Sequence, residues 1–182
     1  MHKHLMTLSL SIILLVPITA RADTPKNVVE IMLAANLDDA RGYCLDIAGG
    51  KGISAPLDKG LQAHTCYHYT GGIIEDQGFD LALISEGKFQ IPYFGVCMSV
   101  PSIIAGAAIS LEQCNESDTQ KFTLNSNGQL IVQTDQTLCV TVSSTEKKEG
   151  RGGSPVHVMR PLSLQSCDDT QKSYQTWSIN KL

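Results

Sequence analysis

The chain has 182 residues with 14 basic and 18 acidic side chains, a formal net charge of −4. That balance argues against nucleic acid or an anionic membrane surface as the main partner. The length suits one ordinary domain with a substantial core.

The opening stretch, "MHKHLMTLSLSIILLVPITARA", places Lys3 ahead of an apolar run from Leu8 to Ile18 and ends on Ala20-Arg21-Ala22. Small residues at those two alanine positions are what a signal peptidase reads, so residues 1–22 are expected to be a signal peptide and the mature chain to start at Asp23. The apolar run is too short for a membrane span, and no other stretch approaches the roughly 20 residues one needs. The mature chain is expected to be secreted, extracellular or periplasmic according to the host. Lys3 and Arg21 leave with the leader, taking the 14 basic residues to 12 against 18 acidic ones, a formal net of −6. All six cysteines remain, and an even number in an exported chain reads as a disulfide set, with 15 pairings open in principle.

A strand opener, "VEIML", begins near Val29. "YCLDI" (Tyr43 to Ile47) follows with period 2, reading as a short strand whose fourth residue, Asp46, turns away from the core. Period 2 also sets Cys44 and Asp46 on one side, so Asp46 reaches outward only if the strand curls or bulges after Leu45, as Gly49 and Gly50 allow. "LQAHTC" ends at Cys66. "CYHYTGGIIEDQGF" then carries Tyr67, His68 and Tyr69 beside a glycine pair and reaches Gln77-Gly78-Phe79.

The same phrases return twice. "GKFQI" at Gly87, "VCMSV" (Val96 to Val100), "ISLEQC" ending at Cys114 and Gln120-Lys121-Phe122 form a second set. A third is "GQLIV" at Gly128, "LCVTV" (Leu138 to Val142), "LSLQSC" ending at Cys167 and Gln175-Thr176-Trp177. In each, Gln-x-aromatic trails the second cysteine, by 11, 6 and 8 residues. The aromatic reads as core and the glutamine as a hydrogen-bonding partner for backbone left unpaired by irregular strands. Helical periodicity is absent beyond the leader. Four short strands per unit, over roughly 28–82, 83–126 and 127–182, predict an all-β domain of three units, none able to bury its apolar face alone.

Three ordered copies of a Cys-x-Asp-like strand, a second cysteine and Gln-x-Trp/Phe resemble the ricin-type lectin domain, over about Val28 to Leu182. The resemblance implies a β-trefoil with pseudo-threefold symmetry filling residues 23–182. It also implies one disulfide within each unit, Cys44–Cys66, Cys97–Cys114 and Cys139–Cys167, each worth roughly 3 kcal/mol on a chain-entropy account.

Sugar recognition needs a carboxylate accepting from two hydroxyls, an amide giving donor and acceptor, and a flat side chain against the C–H face. By resemblance the first unit supplies Asp46, Gln62, His64, Asp76 and Gln77, with His64 where the family often has Trp or Tyr. The second unit has Ser99 and the third Thr141 at the aspartate position, which implies one sugar pocket, in the first unit, for galactose-type glycans. Two local alternatives stay open: Asp46 caps the turn at Ala48-Gly49-Gly50, and Tyr67 or Tyr69 either swings onto the pocket or packs on the barrel.

His64 and His68 have the His-x3-His spacing of a zinc site, but in glycine-flanked β sequence around a bridged cysteine, so no metal is expected. No cofactor is expected either, and no enzyme, since the nucleophile elbow is lacking and paired cysteines cannot attack. Any toxin or hydrolase partner would be a separate polypeptide. The rival reading is a sugar-silent trefoil acting as a protein-interaction or inhibitor module through the insertion "SSTEKKEGRGGSPVHVMR", Ser143 to Arg160, which is otherwise a solvated loop. Asn115-Glu116-Ser117 is a glycosylation acceptor in a eukaryotic host.

Overall fold

The computed structural model describes residues 27–50, 52–67 and 75–181. The leader expected over residues 1–22, and His68 and Tyr69, lie outside them. Among the described residues, thirteen strands run in chain order: β1 (Val28–Leu33), β2 (Tyr43–Ile47), β3 (Leu61–Thr65), β4 (Phe79–Asp80), β5 (Gln90–Ile91), β6 (Val96–Ser99), β7 (Ser110–Gln113), β8 (Phe122–Leu124), β9 (Leu130–Val132), β10 (Asp135–Val142), β11 (Lys148–Glu149), β12 (Val158–Ser166) and β13 (Trp177–Lys181). Every phrase repeated across the three units contributes a strand, and each unit holds at least four. Two four-residue helices, Leu81–Ile84 and Lys172–Gln175, are the only α-helices among the described residues. No helix among those residues is long and apolar enough to cross a membrane.

Neighbouring strands pair antiparallel in the order β13-β1-β2-β3-β12-β10-β9-β8, with β5-β6-β7 as a separate ladder. The pairing closes first on last, Val29 opposite Lys181 and Leu33 opposite Trp177. It also joins the first unit to the third through Met159 opposite His64 and Pro161 opposite Gln62. The first and second units meet where the Leu61 amide donates to the Ile109 carbonyl at 2.9 Å. Gly60 permits that approach: its φ is +67°, and a Cβ there would stand 2.4 Å from the Ile109 oxygen.

The three bridges are Cys44–Cys66, Cys97–Cys114 and Cys139–Cys167, separated by 22, 17 and 28 residues. Each lies within one unit, as the family resemblance implies.

Phe79 and Phe122, the aromatics of the first two Gln-x-aromatic motifs, both meet Phe89 edge-on at 6.4 Å. The third, Trp177, is 2% exposed and donates its indole N–H to the Val140 carbonyl at 3.0 Å. The motif aromatics thus converge in one core with Ile31, Leu33, Leu45, Met98 and Leu130. Phe89 is fully buried and touches two of the three units' aromatics, so Phe89→Ala should cost about 3–5 kcal/mol in urea unfolding. Tyr93, 41% exposed, is the control and should cost about 1 kcal/mol or less when truncated to Ala.

Candidate functional site

Gln77, Gln120 and Gln175 are all buried. Each staples the flanks of its unit's second cysteine. Gln120 accepts from the Asn115 amide at 2.9 Å and donates to the Gln113 carbonyl at 3.0 Å, on either side of Cys114. Gln175 repeats this around Cys167, accepting from Asp168 and donating to Ser166, both at 2.9 Å. Gln77 spans Cys66 more loosely, accepting from the Tyr67 amide at 3.3 Å and donating to the Thr65 carbonyl at 3.4 Å.

The fourth residue of each cysteine strand does not turn out to solvent as period 2 suggests. Asp46 is 0%, Ser99 2% and Thr141 7% exposed. The expected curl after Leu45 is absent too: β2 and β3 keep an unbroken register from Tyr43 opposite Thr65 to Ile47 opposite Leu61. All five residues of β2 are buried, because it is covered on both faces, and alternation then no longer separates core from water.

Asp46 survives there because polar neighbours surround it. Gln62, directly across the ladder, donates to Asp46 Oδ1 at 2.8 Å. Asp76 and Gln77 act on the same carboxyl. The second oxygen, Oδ2, is buried with no hydrogen-bond partner among the described residues. Burial, then the charge of Asp76, pushes the Asp46 pKa well above the carboxylate range, against the pull of Gln62 and Gln77. Burial also raises Asp76, whose Oδ2 accepts from the Gly52 amide at 2.5 Å. As for the turn-capping alternative, the turn amide that is bonded belongs to Gly52 and the carboxyl to Asp76.

The five residues singled out in the first unit are therefore together: Asp46, Gln62, Asp76 and Gln77 share one polar cluster, and His64 borders it. His64 Nδ1 donates to the Thr65 carbonyl at 2.8 Å and lies 3.3 Å from Gln77 Nε2. Its ring meets Tyr67 and His157, each with centroids 5.1 Å away, and Tyr67 and His157 stand 5.5 Å apart. Tyr67 thus lies against His64 at the border of the cluster. Among the described residues no group of three or more His, Cys, Asp or Glu could hold a metal ion.

His157 arrives on the insertion, which is not a free solvated loop. It folds as a hairpin, with Lys148 opposite Met159 and Glu149 opposite Val158, and docks on the first unit. Arg41 donates to the Pro155 and Val156 carbonyls at 3.0 and 2.7 Å while paired with Asp39 at 2.7 Å. That pairing, led by the Arg41 bond, holds the Asp39 carboxyl down at about 2. Lys147 and Arg160 both reach Asp38, at 2.8 and 2.9 Å, and Tyr43 donates to it at 2.8 Å. Lys147 first, then Tyr43 and Arg160, hold Asp38 far below the carboxylate range. Sequence reasoning missed this dock. "LDDAR" and the basic insertion are complementary, but more than 100 residues separate them.

The third unit holds an open cleft of about 650 Å³, walled by Thr141, Ser143 to Glu146, Ser163, Gln165 and Gln175, with Gly106 and Ala108 from the second unit. Gln175 donates to the Thr141 hydroxyl at 3.0 Å where the first unit sets Gln77 beside Asp46. Hydroxyls and amides line the cleft, and its carboxylates are Glu146 and Asp168.

A family model described as the ricin-type beta-trefoil lectin domain matches residues 34–158. Comparison with curated proteins returns no match. Among solved structures, the agglutinin from Abrus precatorius is similar over 87% of this chain and 48% of that one, with a TM-score of 0.56 at 17% identity. The present chain therefore spans about half the length of that agglutinin. ThreeFoil, a designed protein with threefold symmetry, is similar over 85% of this chain and 99% of its own, with a TM-score of 0.58 at 17% identity. The C-half of an earthworm R-type lectin, solved in complex with GalNAc, is similar over 86% of this chain and all of its own, with a TM-score of 0.53 at 12% identity. These likenesses establish the shared trefoil fold.

The Asp46 carboxyl yields a pH prediction. A carboxyl with a higher pKa folded than unfolded contributes stability in full below its unfolded value, and loses it as pH rises through the folded value. Asp46→Asn keeps the shape and removes the ionisation. The melting temperature of the wild type should therefore fall relative to Asp46→Asn as pH rises from about 4 upward. Parallel curves from differential scanning calorimetry would show that Asp46 ionises at no cost.

Proposed function

Since the chain belongs to the ricin-type β-trefoil lectin domain family, we propose that it is an exported, non-catalytic sugar-binding protein with its principal pocket in the first unit. The observation that carries the pocket is Asp46: a carboxyl oxygen buried without a partner among the described residues. Leaving an acceptor unsatisfied costs about 1–3 kcal/mol, and a sugar hydroxyl recovers that by donating to it. Gln62 and Gln77 hold amide groups alongside. Ser99 and Thr141, at the matching positions, offer hydroxyls without charge. The earthworm relative was solved with GalNAc, and galactose-type sugars are the class proposed here.

The third-unit cleft supports a second placement of the same function. It is open where Asp46 is covered, and its hydroxyl and amide lining suits a polyol.

A glycan array followed by titration of the strongest hit separates the two. Asp46→Asn should weaken binding by about 1–3 kcal/mol, the scale of mispairing a buried polar group, while Ser99→Ala and Thr141→Val leave it unchanged. Binding that survives Asp46→Asn and is lost in Thr141→Val moves the site to the third unit. Silence on the array, with a protein captured in its place, would replace the lectin reading by that of an interaction module.

A further inference from the structure

His64 stands where the first-unit pocket would present a flat face to a sugar ring, yet it is only 7% exposed. What covers it includes the insertion: the His157 ring lies 5.1 Å away, inclined by 31°, and Tyr67 closes the third side. We propose that the insertion is an acid-released lid on the first-unit site, with the His64–His157 contact as its latch. This rests on the first-unit sugar reading above.

The tip of the insertion is shaped around that ring. Gly153 has φ +91°, and a Cβ there would stand 2.2 Å from His157 Cδ2. The Gly150 amide donates to the His157 carbonyl at 2.7 Å, and the His157 amide to the Gly152 carbonyl at 3.0 Å. The Val158 amide donates to Thr65 Oγ1 at 2.8 Å, fastening the hairpin beside His64.

Acid undoes the latch because it contains two imidazoles and a guanidinium. His64 is faced by His157, Arg41 and Asp39. His157 is faced by Arg41 and Asp39. Asp39 favours protonation of both rings, but it is already paired with Arg41 at 2.7 Å. Burial first, then the neighbouring positive charges, hold both histidines below their usual value. A histidine depressed in the closed state takes up its proton more readily in the open one. Closure is therefore at full strength above about pH 6.5 and weakens as pH falls below it. The groups that act on Asp46, namely Asp76, Gln62 and Gln77, all belong to the first unit, and burial is the first cause of its raised pKa.

Hydrogen exchange on the full protein reads the lid directly. Between about pH 7.5 and pH 5, amide protection of Val158, whose N–H donates across the dock to Thr65, should fall several-fold once corrected for intrinsic rates. His157→Phe keeps a ring without a charge and leaves only His64 to titrate, so it should lose markedly less protection than the wild type. Equal protection of the wild type at the two pH values, or the same loss in His157→Phe, overturns the lid. Lactose titrations at a fixed pH of about 7.5 then test what lies beneath, and His157→Ala should bind several-fold more tightly than wild type. If wild type and His157→Ala bind lactose equally, the hairpin does not cover the sugar site and the inference falls. If neither binds lactose while the exchange pattern holds, the lid stands and the sugar reading fails.

Discussion

Each unit depends on one side-chain amide set across the second cysteine. In the second and third units the glutamine takes the N–H after the cysteine and serves the C=O before it, within 3.0 Å. Two residues on, the aromatic enters the core. The disulfide fixes the cysteine to its partner strand, the amide satisfies the backbone that the cysteine's turn leaves unpaired, and the aromatic follows from that geometry. Two buried backbone groups left without partners would cost about 2–6 kcal/mol, comparable to what a single disulfide returns. The repeated motif is therefore a structural device, and its presence in all three units says nothing about which of them binds.

The units differ in what stands at the aspartate position. The first spends its variation on two carboxyls, Asp46 and Asp76, in surroundings that disfavour charge. The third puts Thr141 in the equivalent place, bonded by Gln175, and opens a cleft beside it. The second has Ser99. A neutral hydroxyl satisfied by the local glutamine is at rest; a carboxyl with one oxygen unsatisfied is not. The asymmetry is reinforced by the insertion, which belongs to the third unit by sequence and to the first by contact.

The trefoil could be read from the chain because its repeats are marked by residues with topological meaning: cysteines that must meet and glutamines followed by aromatics that must be buried. The burial of Asp46 could not be read in the same way. Alternation assigns one face of a strand to water, and β2 has no such face. Nor could the dock of the insertion, since Asp38 and Arg41 find their partners in Lys147, Pro155, Val156 and Arg160 only after the first and third units have come together. His157 follows a glycine-rich run in the sequence. Its neighbours, His64 and Tyr67, are 93 and 90 positions earlier.

The bridges join each cysteine to the next one along the chain, at separations of 22, 17 and 28 residues. For a polypeptide delivered end-first into an oxidising compartment, the first cysteine to need a partner meets the correct one before any other has emerged. Of the 15 pairings that six thiols allow, vectorial delivery favours the native set at every stage, and short loops close at least entropic cost. Along such a route, pairing neighbour with neighbour would need an oxidant but no reshuffling. A trefoil wired between units would have to wait for its whole length, holding unpaired thiols and uncovered strands in the meantime.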